Sequence, residues 1–182
     1  MLQRTLSRFT DTAQLWCVVL LVAGCASASL VFSCATPFAA FAVLAAAALP
    51  LRAALAAIVA VWLVNQAIGF GLLGYPRTLD TAAWGVALGA AAAIATVIAA
   101  AMFSRLAAVG RLATYPLALI ASLAAYELAL LAITPALGGG DAFTTEIVGR
   151  IAFLNAVWLA GLVMAYEAGR LLAPLRQPRA MS

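Results

Sequence analysis

Histidine and lysine are missing from this 182-residue chain, and charge of any kind is scarce at 9%. Without histidine there is no axial imidazole for a b-type haem and no nitrogen ligand of the kind that nickel and cobalt ion transporters use. Cysteine is sparse too. Cys17, Cys25 and Cys34 have no CxxC spacing, and all lie in the first apolar segment, where a buried thiol acts as a small apolar filler. The chain lacks GxSxG, HExxH and a Gly-rich phosphate loop after a strand. An intramembrane aspartyl protease needs two membrane aspartates, but Asp80 and Asp141 fall in loops. No nucleophile is paired with a base, so no enzyme is expected, and neither is a cofactor or a metal site. The net charge of +4 comes from arginines at helix ends, which is no footprint of a nucleic-acid partner.

What is abundant is apolar residue, at 67%. A soluble domain carries about a quarter charged residues, and this chain could not cover itself with polar surface. Its solvent is the lipid bilayer. About 20 apolar residues cross the hydrocarbon as a helix, and six such segments use up the length. The expectation is an all-α polytopic membrane protein of one embedded domain, with spans over 13–33, 38–49, 51–73, 81–103, 113–136 and 146–172. Pro37 and Pro50 divide the uncharged run between Asp11 and Arg52. The segment between them is short for a crossing, so it is tilted, extended through a loop or partly re-entrant.

Arginine asymmetry sets the orientation. With the N-terminus inside, Arg4, Arg8, Arg52, Arg105, Arg111, Arg170, Arg176 and Arg179 face the cytoplasm, and Arg77 and Arg150 face out. Both termini are then cytoplasmic. Val22-Ala23-Gly24-Cys25 fits a lipoprotein processing site and Ala26-Ser27-Ala28 a signal-peptidase site. An alanine-rich helix produces such strings by chance, and an uncleaved first helix is expected.

Polar groups inside hydrocarbon are costly and invite a functional reading. Asn65 and Gln66 lie about 20 Å along their helix from Arg52, and Glu127, beside Tyr126, about 24 Å along its helix from Arg111. Asn155 enters from the other side to a similar depth. Tyr75, Arg77, Asp80 and Trp84 sit just above in a short loop and the helix after it. Together these nine residues outline an outward-opening ligand pocket between the third, fifth and sixth spans. Structural alternatives stand beside this reading: hydrogen-bond glue for the amides, an ion pair or protonated carboxyl for Glu127, and interfacial anchoring for Tyr75, Trp84 and Trp158. Glu167 and Arg170 form an i, i+3 pair. Gly85-x-x-x-Gly89 is either a partner-docking face or internal packing.

Six short helices in about 180 residues, both ends inside and polar groups toward the outer face, resemble the substrate-binding S-components of energy-coupling-factor (ECF) vitamin transporters. The small residues Ala23-x-x-x-Ser27 and Gly24-x-x-x-Ala28 are similar to those by which S-components dock on their coupling subunit. The stretch from Asn65 to Gly71, followed by Tyr75-Pro76 and Trp84-Gly85, resembles the small solitary cobalamin transporters of that group. The resemblance implies uptake of a vitamin-like small molecule, with cobalamin as first candidate, across a bacterial inner membrane. It implies either solitary action or partnership with an ECF coupling subunit and ATPases, since the chain has no ATPase motif. Some members carry a cobalt-ligating cysteine in this region. Here the loop offers Asp80 instead, and Cys34 is the only outer-end thiol, so this sequence departs from that pattern and leaves open whether Cys34 or Asp80 meets a metal centre in the ligand. A non-transporting scaffold subunit of a larger complex is the alternative.

Overall fold

A computed structural model describes residues 2–32 and 36–172, with side chains from residue 12 onward. Cys34, Arg176 and Arg179 lie outside the described residues, as do the side chains of Arg4 and Arg8. The elements are α1 (Leu2–Phe32), α2 (Phe38–Ala48), α3 (Leu51–Gly71), α4 (Leu79–Arg105), α5 (Arg111–Leu131), the single turn α6 (Thr134–Leu137) and α7 (Thr145–Leu172). There is no strand among the described residues. Five apolar stretches, Thr12–Phe32, Leu51–Gly71, Leu79–Arg105, Arg111–Leu137 and Thr145–Leu172, are long enough to cross a membrane. The all-α membrane bundle read from composition is therefore what the chain forms. Helix α1 starts earlier than residue 13 because no proline or glycine stands between Leu2 and Asp11 to stop it.

The sixth segment, α2, has 11 residues and is about 16 Å long, roughly half the hydrocarbon thickness. Phe38 through Ala45 are all buried. The other helices enclose it, with contacts to α1, α3, α4, α5 and α7. A helix apolar on every side has no preferred outward face and belongs in a core. Its alanines let neighbouring backbones come close, and α4, which packs on it, buries alanines of its own, Ala87, Ala91, Ala92, Ala95 and Ala99.

Specific contacts establish the arrangement around this core. The Cys25 thiol donates to the Val61 carbonyl at 3.2 Å, and Asn65 meets Ser29, so α1 and α3 run parallel. Trp62 Nε1 donates to the Gly85 carbonyl at 2.7 Å, and the Trp62 indole lies on Gly89. Thus Gly85-x-x-x-Gly89 serves internal α3–α4 packing. Phe103 stacks edge-on against Tyr115, joining the end of α4 to the start of α5. Trp16 Nε1 donates to the Ala165 carbonyl, and Gly24 lies beside Trp158, so α7 runs antiparallel to α1. One end of the bundle gathers Arg52, Arg105, Arg111 and Arg170, and is called the arginine end below.

Burying a short helix leaves its terminal N–H and C=O groups without water. Other helices supply the missing partners. At the N-terminus of α2, Asn155 Oδ1 on α7 accepts from the Ala40 N–H at 2.9 Å. Asn155 is held for this by its own Nδ2, which donates to the Ile151 carbonyl at 3.0 Å. At the C-terminus, the Arg111 guanidinium on α5 donates to the Ala47 carbonyl. A cation there also complements the negative end of the helix dipole.

Candidate functional site

A cavity with several polar groups in its wall lies at the end of the bundle opposite the arginines, between the N-terminus of α2, the C-terminal half of α3 and the start of α4. Its volume is about 250 Å³, near the lower bound of about 300 Å³ for ligand pockets. Rings of Phe38, Phe70, Tyr75 and Trp84 form much of the wall, and Thr36, Asn65, Gln66 and Thr81 bring polar groups to it.

Local sequence explains each placement. Helix α3 ends at Gly71, and the chain folds back so that the Tyr75 N–H donates to the Gly69 carbonyl at 3.0 Å. The Tyr75 ring rests on Gly69, where a Cβ would come within 2.6 Å of it, and meets Phe70 edge-on at 6.2 Å. Gly74, with φ of 68°, makes the reversal in a conformation that favours glycine. Thr78 then caps α4: its hydroxyl accepts from the Thr81 N–H at 3.2 Å. On α4, Gly85 leaves room for the Gln66 carboxamide.

Beneath the rings runs a hydrogen-bonded floor. Asn65 Nδ2 donates to Ser29 Oγ and to Thr36 Oγ1, each at 2.9 Å. Asn65 Oδ1 accepts from Gln66 Nε2 at 3.1 Å. Asn65 thus ties α1, the α1–α2 connection and α3 together, and both its donor hydrogens are in use. Gln66 retains one N–H and its Oε1 without a hydrogen bond among the described residues.

Of the nine residues expected to form one pocket, the cavity brings together Asn65, Gln66, Tyr75 and Trp84. The other five lie elsewhere. Arg77 is exposed and borders a shallow depression with Ala67, Phe70 and Leu79 on the other side of the loop. Asp80 is exposed in the first turn of α4, where an acidic group complements the helix dipole. Tyr126 is buried behind Phe38, with ring centroids 6.2 Å apart. Asn155 caps α2. Glu127 is half-buried on α5, and its Oε1 is sealed with no hydrogen-bond partner among the described residues.

The walls of this cavity come from α2, α3, the loop and α4, whereas the expected pocket lay between the third, fifth and sixth spans. Counting residues from a helix end gives depth, and the depths do converge. It says nothing of direction around the bundle, and α2 stands between α3 and the α5–α7 pair. Thr36, Phe38, Phe70, Pro76, Thr81, Gly85 and Leu88 are wall residues that sequence reasoning missed. The aromatic and Pro-Gly density between Phe70 and Gly85 was the available signal for several of them.

A larger cavity, about 440 Å³, opens near the arginine end between α1 and α7. It is lined mostly by Ala13, Trp16, Ala165, Ala168 and Gly169. Its two strongest polar groups are engaged: Arg170 with Glu167 at 2.9 Å, the anticipated i, i+3 pair, and Trp16 with Ala165. A second opening in the same seam is bordered by Ala23, Gly24, Ser27 and Gly161. Ala23 and Ser27 are exposed while Ala28 is buried, so the first of the two small-residue pairs on α1 faces outward.

No protein-family model, no curated protein and no solved structure matches the chain.

Proposed function

We propose that this chain is the substrate-binding membrane protein of an uptake system for a vitamin-like small molecule, captured from outside the cell. The observation that carries the reading is the cavity under the Leu72–Thr78 loop, with aromatic walls and a polar floor anchored by Asn65, set away from the arginine end. By the positive-inside rule the arginine end is cytoplasmic, which turns the cavity outward. Both termini are then inside, in a bacterial inner membrane. Lining by rings with a few fixed polar groups is the general composition of small-molecule sites. The exposed Ala23-x-x-x-Ser27 edge, beside Gly161, supports docking of a coupling subunit, through which ATPases would drive transport.

Cobalamin remains the named candidate from resemblance. A whole corrinoid exceeds a space of about 250 Å³, so it would enter only with the Leu72–Thr78 loop displaced. A single ring system fits the cavity as it stands. Mass spectrometry of the protein purified in mild detergent, followed by thermal-shift titration with a vitamin panel that includes cobalamin, tests the proposal. Stabilisation by one panel member supports it. A protein that carries nothing and responds to nothing, yet co-purifies with other membrane subunits, would be the scaffold instead.

A further inference from the structure

We infer that the ligand is uncharged and planar, one or two fused rings with a primary amide or lactam edge, and that Gln66 reads that edge. The inference rests on the α2–α3–α4 cavity being the binding site, and it concerns what that site selects.

Charge is the first discriminator. Among the described residues, the walls contain no Asp, Glu, Lys, Arg or His. Both signs do stand close by, Arg77 in the loop that closes the cavity and Asp80 in the first turn of α4, yet both are exposed and neither lines it. Helix N-termini can also hold anions, and two approach this space. Both are engaged. At α2, the Phe38 N–H donates to the Thr36 carbonyl and the Ala40 N–H to Asn155. At α4, the Thr81 N–H donates to Thr78, and Asp80 adds a negative charge to the same turn. An ion of either sign would lose its water without gaining a counter-charge, which is strongly unfavourable in a low-dielectric site.

Shape is the second. Rings contributed by α2, by α3, by the loop and by α4 surround a small volume, and flat aromatic faces pack best against a flat guest. The third is hydrogen bonding. Asn65 is saturated by Ser29, Thr36 and Gln66, and it fixes the Gln66 carboxamide in place. Gln66 is left with one donor and one acceptor. A carboxamide offering both is complementary to an amide or lactam, which carries an N–H beside a C=O. Gly85 is part of the device, because a side chain there would occupy the position of Gln66 Oε1.

The test uses three probes of nearly one shape on the full-length protein in detergent, measured by titration calorimetry. They are quinoline-3-carboxamide, quinoline-3-carboxylate and N-methylquinolinium. The carboxamide should bind, and each ion should bind at least about a hundredfold more weakly. Gln66→Met, similar in length and unbranched, should weaken the carboxamide roughly tenfold. Equal or tighter binding of either ion would overturn the charge assignment while leaving the cavity as the site. An unchanged carboxamide affinity in a Gln66→Met protein that elutes as one species would remove Gln66 from its role. A carboxamide that fails to bind overturns the inference. If a vitamin from the panel still binds, the site reading survives; if nothing binds, both fall.

Discussion

Asn65 and Asn155 carry the same functional group at similar depth, and neither is free to meet a ligand with its full capacity. Asn65 joins Ser29, Thr36 and Gln66, and Asn155 caps α2. Replacing Asn65 by Leu removes a short hydrogen bond from each of Ser29 and Thr36, leaving them the longer contact with each other, and takes away the anchor of Gln66, so the protein should lose about 2–3 kcal/mol of stability. Thermal unfolding in detergent would show this as a clearly lowered midpoint, even without ligand. Glu127 is predicted to behave differently. It touches no part of the cavity, so Glu127→Gln should leave ligand affinity within about twofold by titration. A tenfold loss would bring α5 back into the site. Sequence alone put these residues at the correct level. The level follows from a fixed rise per residue, whereas the partner of each amide depends on which helix stands beside it.

At the scale of the element, α2 is the least ordinary part of the fold. Its shortness was legible from the two prolines that bound it, and so was its doubtful standing as a full crossing; its enclosure by the other helices was not, because an apolar run without a polar side suits lipid as well as a core. Nor could the supply of caps be read, because Asn155 and Arg111 lie 115 and 64 residues from the groups they meet. Asn155→Leu and Arg111→Met should each cost about 1–2 kcal/mol. The two sites sit at opposite ends of α2 and share no partner, so the double variant should lose the sum within about 0.5 kcal/mol. A clear departure from additivity in unfolding experiments would mean that α2 shifts bodily when one end is released. The α3–α4 connection was more legible, since Gly74, Pro76 and Thr78 are turn and cap residues by chemistry.

For the whole molecule, the bundle and its five long helices were legible because charge and proline punctuate an otherwise apolar chain. The packing order was not, since an alanine-rich surface offers few distinguishing shapes to a reader of sequence. Topology is open to direct measurement. Reporter fusions after Ser182 and within Gly138–Gly140 should report opposite sides of the membrane, the first of them cytoplasmic. Both on the same side would refute the orientation from which the cavity is read as facing outward.

The cap that α7 gives α2 also dictates an order of manufacture. Ribosomes deliver α2 long before Asn155 exists, so the Ala40 N–H must wait in the bilayer, or near it, until almost the whole chain has emerged. In that interval α2 is too short to rest as an independent span, and its neighbours α4, α5 and α7 are still to come. Insertion machinery or a chaperone would have to shelter the growing chain. Chains truncated before Thr145 should accordingly stay sensitive to protease and to quality-control degradation. Co-expression of the α7 segment as a separate peptide should restore some resistance, and should fail to do so when that peptide carries Asn155→Leu.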